Sequence, residues 1–349
     1  MSAPRNRQVL LKSRPDGEPT EGNFEIVEGT IPEPAAGQFV ARTIYLSLDP
    51  YMRGLMNDRE SYVEPAKLGE PMPGGAVGQV TRSNHPDYEE GDFVLGDWGW
   101  REYGVSDGSG ATRKVDPADG PLSYALGVLG MPGMTAYTGL LNLGRPEPGE
   151  TVVVAAASGA VGSVVGQVGK IKGCRVVGIA GGERKCRYVA DELGFDACLD
   201  HREPDLPGRL KAACPDGIDV YFENVGGPVF DAVLPLLNRF ARVPVCGLVA
   251  QYNATELPPG PDRVPLLMQE ILVKRLAFEG FIVWDFADQW EEFVADMGGW
   301  VRDGLVKYRE DVTDGLENAP RQLIGLLKGE NFGKKIIRVG ADPTPPGRA

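Results

Sequence analysis

The sequence predicts an α/β protein in which a β-rich first part is followed by a doubly wound parallel sheet. Two observations predict this fold. From residue 152 onward, apolar strand-like runs alternate with helical segments, which is typical of consecutive βαβ units. Before about residue 130 the chain is instead rich in Gly, Pro and short β-like runs. The change of pattern, in a chain of 349 residues, indicates two domains.

The first part contains short segments of strand-like sequence. Residues 39–46 alternate apolar and polar side chains as a half-buried strand does, and residues 75–80 and 92–95 form two shorter runs. Together they predict a β-rich barrel or sandwich. The chain returns to a strand pattern at residues 334–339, and we expect this last strand to pair within the first domain.

The second part contains apolar runs that predict parallel strands, at residues 152–156, 175–180, 197–200, 219–223, 240–247 and 276–283. A helix that ends near Gly173 separates the first two runs. Another helix over residues 183–193, ended by Gly194, separates the next two. Apolar residues at helical spacing also predict one long helix over residues 284–304.

A turn of small residues follows the first of these strands and is the most informative stretch of the chain. It has the pattern A-x-G-x-x-G, beginning at Ala157, directly before an apolar helical run. Small residues let a diphosphate approach the backbone and bind at the helix N-terminus. The residues predicted to bind a dinucleotide here are Gly159, Ala160, Val161 and Gly162. The alternative, a membrane-spanning helix over residues 151–169, is disfavoured by the Gly, Ser and Gln residues in that stretch.

The composition excludes several other classes of function. The net charge of −13 and the sequence pI of about 4.8 argue against a nucleic-acid partner, because that affinity rests on basic patches. The N-terminus is polar and has no signal-peptide pattern. The five scattered cysteines contain no C-x-x-C pair, so we expect reduced thiols and a cytoplasmic protein. With 2 histidines and no Cys/His cluster, no metal site is predicted.

Six short strings occur in an order that is found in one enzyme family. They are Asp-Pro-Tyr-Met-Arg at 49–53, Gly-Met-Thr-Ala-Tyr at 133–137, the turn at 157–162, Glu-Asn-Val-Gly-Gly at 223–227, Cys-Gly-Leu-Val-Ala-Gln-Tyr-Asn at 246–253 and Asn-Phe-Gly-Lys at 331–334. Through them, nearly the whole chain resembles the zinc-independent medium-chain dehydrogenase/reductase family. The branch it resembles holds the prostaglandin and leukotriene reductases, the alkenal double-bond reductases and the curcumin reductases.

This resemblance implies the domains, the cofactor and the reaction. Family members have a GroES-like catalytic domain and a Rossmann domain that binds NADPH, and they are often homodimers. For this chain the resemblance implies a catalytic domain over residues 1–130 and 312–349 and an NADP-binding domain over residues 131–311. The expected reaction is reduction of the C=C bond of a small α,β-unsaturated ketone or aldehyde, with no membrane partner.

Two positions depart from the family pattern. His201 stands where several relatives have a Tyr next to the adenine ribose phosphate, and Ala250-Gln251 stand where many have Ser-Thr or Ser-Gln. The departures leave the reaction class intact and the substrate open. His201 is kept as a candidate cofactor-binding residue.

The residues themselves give evidence on cofactor preference. NAD-selective sites have an acid at the end of the second strand, which accepts a hydrogen bond from the ribose 2′-OH. Here that strand ends at residues 180–182 without an acid, and Lys185 follows in the next helix. Room and a cation favour a 2′-phosphate, and the family carries a phosphate-binding Lys at the position of Lys185. The alternative is that Arg184 and Lys185 are solvated residues of a first helical turn.

Further residues near the ends of later strands are candidates for contact with the nicotinamide half of the cofactor. Each has a structural alternative. Asn224 and Asn331 are typical turn residues, and Thr135 is typical of a helix cap. Residues 281–283 suit an edge strand in a dimer, and an inert buried thiol is favoured for Cys246 because no activating partner is evident. The full set is Thr135, Asn224, Cys246, Gly247, Tyr252, Phe281, Ile282, Val283 and Asn331.

Conjugate reduction needs a donor at the enolate oxygen and a proton at the α-carbon. Without zinc, a hydroxyl has to serve: a tyrosine, the ribose 2′-OH or water. Tyr252, in the loop after the fifth strand, is the best protein candidate, and Tyr51 in the first domain is the second. For each, the alternative is a structural aromatic residue. A quinone oxidoreductase of the same superfamily and a non-catalytic NADP-binding protein remain open as alternative functions.

Overall fold

The computed structural model describes residues 5–258 and 260–344. The chain divides into two units: the first comprises residues 1–130 and 310–349, and the second comprises residues 131–309. Within the described ranges, every helix is too short or too polar to cross a membrane.

The strands fall into three runs along the chain. The first run contains β1 (Arg5–Leu11), β2 (Phe24–Thr30), β3 (Phe39–Ser47), β4 (Ala76–Ser83), β5 (Phe93–Gly96), β6 (Tyr103–Ser106) and β7 (Arg113–Lys114). The second run contains β8 (Thr151–Ala155), β9 (Arg175–Ala180), β10 (Ala197–Asp200), β11 (Ile218–Phe222), β12 (Leu237–Val245) and β13 (Ala277–Gly280). The third run contains β14 (Glu310–Asp314) and β15 (Lys334–Arg338).

Short helices connect these strands in both units. The α-helices are α1 (Met52–Leu55), α2 (Met131–Thr138), α3 (Gly162–Ile171), α4 (Glu183–Arg187), α5 (Leu206–Ala213), α6 (Gly227–Val233), α7 (Val264–Lys274), α8 (Trp290–Arg302) and α9 (Ala319–Leu327). Helices α2 and α4 continue as π-helical segments at Gly139–Gly144 and Tyr188–Glu192. The 3₁₀-helices are Glu21–Asn23, Pro117–Asp119, Leu122–Leu126, Leu234–Leu236, Val249–Gln251, Val283–Gln289 and Leu316–Asn318.

The first unit is mainly antiparallel. Strands β1 and β2 form a two-stranded sheet, and a larger sheet has the order β14-β15-β3-β4-β5-β7, with β6 paired to β3. Only the pairing of β14 with β15 is parallel among these described strands. The predicted last strand is β15, and it pairs with β3 as expected. The core of the unit includes Phe39, Leu46, Met52, Trp98, Trp100 and Ile337.

The second unit is a parallel sheet with the order β10-β9-β8-β11-β12-β13. The chain runs outward from β8 to β10 and then returns to the other side of β8 at β11. The doubly wound parallel sheet predicted from the sequence is therefore confirmed. In such a sheet, ligands bind outside the carboxyl ends of the strands, near the point where the strand order reverses.

The predicted long helix over residues 284–304 is wrong in its first part. The α-helix begins only at Trp290, and the residues before it form the 3₁₀-helix Val283–Gln289, which is interrupted at Phe286 with φ −118° and ψ 27°. The Asp285 carboxylate accepts the N–H of Ile282 at 2.8 Å and closes a tight local turn. This side-chain bond competes with a regular first α-helical turn.

The predicted strand over residues 276–283 is too long. Strand β13 ends at Gly280, which pairs with Val245, the last residue of β12. The ladder stops where its partner strand stops, so residues 281–283 lie beyond the strand. β13 is also the last strand in the sheet order, which leaves its outer edge without a neighbour in the described part of the chain.

A lysine is buried in the first unit, where the start of β15 meets the end of β3. The Lys334 side chain is 1% exposed, and its ammonium donates to Ser47 Oγ at 2.6 Å, to the Leu48 carbonyl at 3.1 Å and to the Asp49 carboxylate. Ser47 Oγ also donates to Asp49. Burying a charge is costly unless it is paired and its donors are bonded. Here the three donors of the ammonium have acceptors, so the pair can be held away from water.

We predict that Lys334→Met strongly destabilises the protein, because it leaves the Asp49 carboxylate buried without its cation. Breaking a buried ion pair from one side costs about 3–5 kcal/mol. Urea unfolding of the intact chain, followed by tryptophan fluorescence, measures the loss. Lys328→Met is the matched control, because Lys328 pairs with Glu18 at the surface and its side chain is 48% exposed. Equal unfolding midpoints for Lys334→Met and Lys328→Met would contradict the prediction.

Candidate functional site

The predicted dinucleotide turn joins β8 to α3 at the carboxyl edge of the sheet. Ala156 adopts a left-handed conformation with φ 53°, and the N–H of Gly159 donates to its carbonyl at 2.8 Å. A Cβ on Gly162 would lie 2.4 Å from the same carbonyl oxygen. Only glycine therefore fits at position 162, and the helix begins directly on the end of the strand. The N–H groups of Ser163, Val164 and Val165 donate to the carbonyls of Gly159 and Val161, and the partial positive charge of the helix N-terminus suits an anion.

Ala157 occupies the position at which the dinucleotide pattern usually has its first glycine. The space comes from the neighbouring strand, since a Cβ on Gly178 of β9 would lie 2.7 Å from the Ala157 Cβ. The Ala157 N–H also donates to the Ile179 carbonyl at 3.0 Å. The methyl group that departs from the pattern is thus accommodated by a glycine on β9 and leaves the turn intact.

The second cluster lies at the ends of β9 and β10 and contains two predicted residues and one that sequence reasoning missed. Lys185 lies in α4 and His201 directly follows β10. Burial, and then the positive charges of Arg202 and Lys185, lower the pKa of His201, while Asp200 opposes them. The missed residue is Arg202, whose guanidinium lies beside the two glycines that follow β9. A basic residue at the second position after β10 was the available signal.

The third cluster lies at the end of β11. The Asn224 amide donates to the Ala155 carbonyl at 2.9 Å and so ties the end of β11 to the end of β8. Glu223, which sequence reasoning also missed, is 2% exposed. Its Oε1 accepts hydrogen bonds from the Tyr221 hydroxyl at 3.0 Å and from the N–H groups of residues 225 and 226 at 2.6 and 2.8 Å. Its Oε2 has no hydrogen-bond partner among the described residues. Glu223 thus shapes the turn that carries Asn224.

The loop after β12 carries Cys246, Gly247 and Tyr252. The N–H groups of Cys246 and Gly247 donate to the Glu223 carbonyl at 2.9 and 3.1 Å, which joins this loop to the end of β11. Burial raises the pKa of the Cys246 thiol to about 12, and Glu223 adds to the effect. A neutral thiol agrees with the inert role favoured for Cys246 and leaves the chemistry to other groups.

Tyr252 folds back over the start of its own loop. Its hydroxyl accepts a long hydrogen bond of 3.4 Å from the Leu248 N–H. A Cβ on Gly247 would lie 3.0 Å from the Tyr252 hydroxyl oxygen, so glycine at position 247 gives the hydroxyl its room. The structure brings Asn224, Cys246, Gly247 and Tyr252 together at the adjacent ends of β11 and β12.

Two other candidates of the second unit make contacts that sequence reasoning did not foresee. Thr135 was expected as a helix cap in the structural alternative, but it lies within α2, and its hydroxyl donates to the Met131 carbonyl one turn earlier, at 2.8 Å. The Phe281 ring packs edge-on against Phe222, with ring centroids 6.1 Å apart, and touches the backbone near Gly139. Phe281 is therefore a core side chain, and both backbone groups of Ile282 bond within their own turn, the N–H to the Asp285 carboxylate and the carbonyl to the Asp285 N–H.

The remaining candidates, Tyr51 and Asn331, lie in the first unit. Tyr51 is half-buried, and burial, followed by the charges of Asp49 and Asp97, raises the pKa of its hydroxyl. The Asn331 amide donates to the Gly333 carbonyl at 2.7 Å and so shapes its own turn. Tyr51 follows Asp49 by two residues and Asn331 precedes Lys334 by three, so the buried ion pair of the first unit positions both segments.

Metal ligands do not gather at either set of candidates. Within residues 5–258 and 260–344, no group of three or more His, Cys, Asp or Glu side chains could hold a metal ion. The donor set of the described residues does not fit a zinc centre.

Two family models match the chain. Residues 7–114 match the N-terminal domain of oxidoreductase, and residues 160–298 match a model described as zinc-binding dehydrogenase. Together they cover parts of both units.

Relatives with high identity span almost the full chain. The NADPH-dependent curcumin reductase of Escherichia coli (strain K12) is 58% identical over 339 residues, 97% of this chain and 98% of that protein. The 2-alkenal reductase (NADP(+)-dependent) of Nicotiana tabacum is 43% identical over 343 residues, 97% of this chain and 98% of that protein. The crystal structure of CurA from Vibrio vulnificus in complex with NADPH has a TM-score of 0.93 and 54% identity, and the match covers 96% of this chain and 100% of that one.

The fold and these similarities define a medium-chain dehydrogenase/reductase. Within that family, the chain belongs to the branch of the curcumin, 2-alkenal and prostaglandin reductases, to which its relatives at 40–58% identity belong.

We predict that Glu223 makes stability pH-dependent. Burial raises the pKa of Glu223 above 4.5, so the stability that its protonated form provides is complete at low pH and is lost as the pH rises through the folded-state pKa. Glu223→Gln keeps the Oε1 acceptor but cannot ionise. Measured by urea titration, the free energy of unfolding of Glu223→Gln should therefore increase relative to that of the wild type as the pH rises from about 5 to about 8.

Glu223→Ala is the comparison variant. It leaves the N–H groups of residues 225 and 226 without their acceptor, which costs about 1–3 kcal/mol for each buried group, at any pH. A difference between Glu223→Gln and wild type that stays constant with pH would show that Glu223 does not change its charge in this range.

Proposed function

We propose that this protein is an NADPH-dependent reductase of the C=C bond in α,β-unsaturated ketones and aldehydes. One observation carries the proposal. The glycine turn, the cation cluster and Tyr252 follow different strands of one parallel sheet and lie along its carboxyl edge. The names of the E. coli relative, an NADPH-dependent curcumin reductase, and of the tobacco relative, a 2-alkenal reductase, support the same reaction class.

The residues along this edge fit NADPH in two respects. A Cβ at Gly162 would lie 2.4 Å from the Ala156 carbonyl oxygen, so this glycine allows the close packing of helix on strand that a dinucleotide turn needs. Gly181 and Gly182 stand after β9, where an NAD-selective site would have an acid, and Lys185 and His201 follow in α4 and after β10. When bound, NADPH supplies the hydride. The residues that we assign to its binding are Thr135, Gly159, Ala160, Val161, Gly162, Lys185, His201, Asn224, Cys246, Gly247, Tyr252, Phe281, Ile282, Val283 and Asn331. By this assignment, the second unit is the NADP-binding domain and the first is the GroES-like catalytic domain.

We assign Tyr252 as the donor to the enolate oxygen. Its hydroxyl lies at the end of β12 in a space that glycine at position 247 provides, and a fixed donor at a developing oxyanion is a large source of rate enhancement. Tyr51 is the second candidate. The raised pKa of its hydroxyl keeps it protonated near neutral pH, so it would act only as a donor.

The test of the function is an NADPH-oxidation screen over enals, aliphatic enones, aromatic enones and quinones, with the products identified by NMR. Saturation of the C=C bond, with kcat/KM higher for enones or enals than for quinones, supports the proposal. A higher kcat/KM for quinones would instead identify a quinone oxidoreductase. NADPH binding without turnover of any substrate would favour a non-catalytic NADP-binding protein.

We predict that Lys185→Glu converts a strong preference for NADPH into a weak one. A charge-assisted contact contributes roughly 1.5–3 kcal/mol, so the KM for NADPH should rise about ten- to a hundredfold while the KM for NADH changes little. Steady-state kinetics with both cofactors measure this. Lys211→Glu, on the exposed side of α5, controls for the added negative charge. Equal rises in both KM values would disprove a phosphate contact by Lys185.

We predict that Tyr252→Phe lowers kcat more than it weakens NADPH binding. Phenylalanine keeps the ring, so the variant tests only the hydroxyl. Loss of an oxyanion donor costs roughly 2.7–4 kcal/mol, which is on the order of 10²-fold in kcat. Kinetics on a good enone, with NADPH affinity measured by fluorescence titration, separate the two effects. Tyr137→Phe is the control, because that hydroxyl donates to Asp296 of α8. If kcat is unchanged in Tyr252→Phe, the ribose 2′-OH or water is the donor.

We infer that two copies of the chain associate through the second unit. The outer edge of β13 has no neighbouring strand among the described residues, and helix α7 exposes apolar side chains. The exposed set is Val264, Leu266, Met268, Leu272 and Val273, each between 52% and 77% exposed. An open strand edge beside an exposed apolar surface is typical of an interface between protein chains. A homodimer would cover both.

We predict that the wild type is a dimer at micromolar concentration and that Leu272→Glu is mainly monomeric, because a charge on the most exposed apolar side chain of α7 cannot be buried unpaired. Sedimentation equilibrium measures both. Leu305→Glu, at a residue that is 54% exposed outside α7, should remain a dimer. A monomeric wild type would refute the homodimer.

We also propose that the protein acts in the cytoplasm. All five cysteines, Cys174, Cys186, Cys198, Cys214 and Cys246, are free thiols, which is the usual state in a reducing compartment.

A further inference from the structure

The Arg202 side chain lies across the two glycines that follow β9. A Cβ on Gly181 would be 3.2 Å from both Nε and Nη2 of Arg202, and one on Gly182 would be 3.7 Å from its Nη1. His201 lies against the same glycine, with its Nε2 3.0 Å from the Gly181 Cβ position. The guanidinium thus lies over a stretch of backbone that has no side chains.

The backbone at this point is fixed by Asp200. Its carboxylate accepts the Arg202 N–H at 2.9 Å and also the N–H of Gly182, so it ties the end of β10 to the turn after β9. The Asp200 carbonyl is held in turn by the Arg209 guanidinium at 3.1 Å. These hydrogen bonds fix the main chain on both sides, so the backbone of Arg202 is held beside the glycines. The acid of this segment serves the backbone and does not pair with the Arg202 side chain.

The exposed Arg202 side chain forms no salt bridge in the described part of the chain, and its charge acts on Asp200 and His201 at longer range. Arg202 and Lys185 lie close enough to His201 for their positive charges to lower its pKa. Two cations and an imidazole around two glycines concentrate positive charge at a place that is open to a ligand. Such a place suits a dianion, and a guanidinium in particular can bond two oxygens of a phosphate monoester at once.

We propose that Arg202 is the second cation that binds the 2′-phosphate of NADPH, opposite Lys185, and that it sets the selectivity against NADH. The inference rests on the proposed function, since it concerns the cofactor of that reaction. His201 provides an N–H, because burial and the two neighbouring cations favour its neutral form. His201, which replaces the family's Tyr, therefore supplies a hydrogen-bond donor, and Arg202 supplies the positive charge.

The test is binding, measured by fluorescence and calorimetric titration of the intact protein with NADPH and NADH. Arg202→Gln should weaken NADPH binding about tenfold or more and leave NADH binding within about twofold. Arg202→Lys should lie between Arg202→Gln and the wild type, because an ammonium keeps the charge but loses the two-pronged bond. Arg187→Gln is the matched control, because Arg187 pairs with Glu183 on the exposed face of α4, the helix that also carries Lys185.

Adenosine 2′,5′-bisphosphate and adenosine 5′-monophosphate separate the phosphate contact from the rest of the cofactor. Arg202→Gln should weaken binding of adenosine 2′,5′-bisphosphate and leave binding of adenosine 5′-monophosphate unchanged. In a double-mutant cycle with Lys185→Gln, the two losses should be non-additive, because both side chains bind one phosphate.

An NADPH/NADH affinity ratio in Arg202→Gln equal to that of Arg187→Gln would overturn the inference and leave Arg202 as a surface residue, with the proposed function intact. A wild type with no preference for NADPH would overturn the cofactor assignment itself, and this inference with it. The two failures are therefore distinguishable.

Discussion

The second unit depends on how closely helix α3 packs onto the ends of β8 and β9. A Cβ on Gly166 would lie 1.8 Å from the Phe195 ring, and one on Gly162 would lie 2.4 Å from a carbonyl oxygen of the turn. Close packing of this kind leaves no room to shift the helix by a methyl group. The position of the α3 N-terminus is thereby fixed, and the proposed diphosphate site with it. The candidates that follow β9, β10, β11 and β12 lie along the same sheet edge.

Hydrogen bonds between strand ends extend that constraint along the edge. The Asn224 amide joins β11 to β8, the Glu223 carbonyl joins the loop after β12 to β11, and the Asp200 carboxylate joins β10 to the turn after β9. The sequence alone does not show that these polar groups hold strand ends together. Residues held in this way present nearby groups at set positions, which is what a site needs for selective binding.

Much of the fold was predictable because its signals are local. Apolar runs, and the small residues of the turn at 157–162, predicted the parallel sheet and the start of α3. Contacts between distant residues were not predictable. The partner of Lys334 is Asp49, 285 residues earlier, and no pattern in either segment indicates the pair. Arg202 was missed for the same reason, since its position depends on glycines of an earlier segment that tertiary structure brings near. The contacts of the Glu223 carboxylate are local instead, with Tyr221 and with the N–H groups of residues 225 and 226.

The errors in local structure also have a physical cause. The helical spacing of apolar residues around 284–304 was real, but one carboxylate, that of Asp285, changes the first turns by bonding a backbone N–H. Similarly, threonine is common at helix caps, yet the hydroxyl of Thr135 donates to a carbonyl within α2. Short polar side chains have several local partners of similar energy, and the surrounding packing selects one.

The two halves of the sheet edge differ in charge, and the difference suits the proposed chemistry. At the ends of β9 and β10, Lys185 and Arg202 are cationic. At the ends of β11 and β12, burial raises the pKa of both Glu223 and Cys246, so charge is disfavoured there. A hydrogen bond from a hydroxyl to a developing oxyanion is stronger where no competing charge or water screens it. The edge thus separates a charged end, which would hold a phosphate, from a weakly polar end, where Tyr252 would stabilise an enolate.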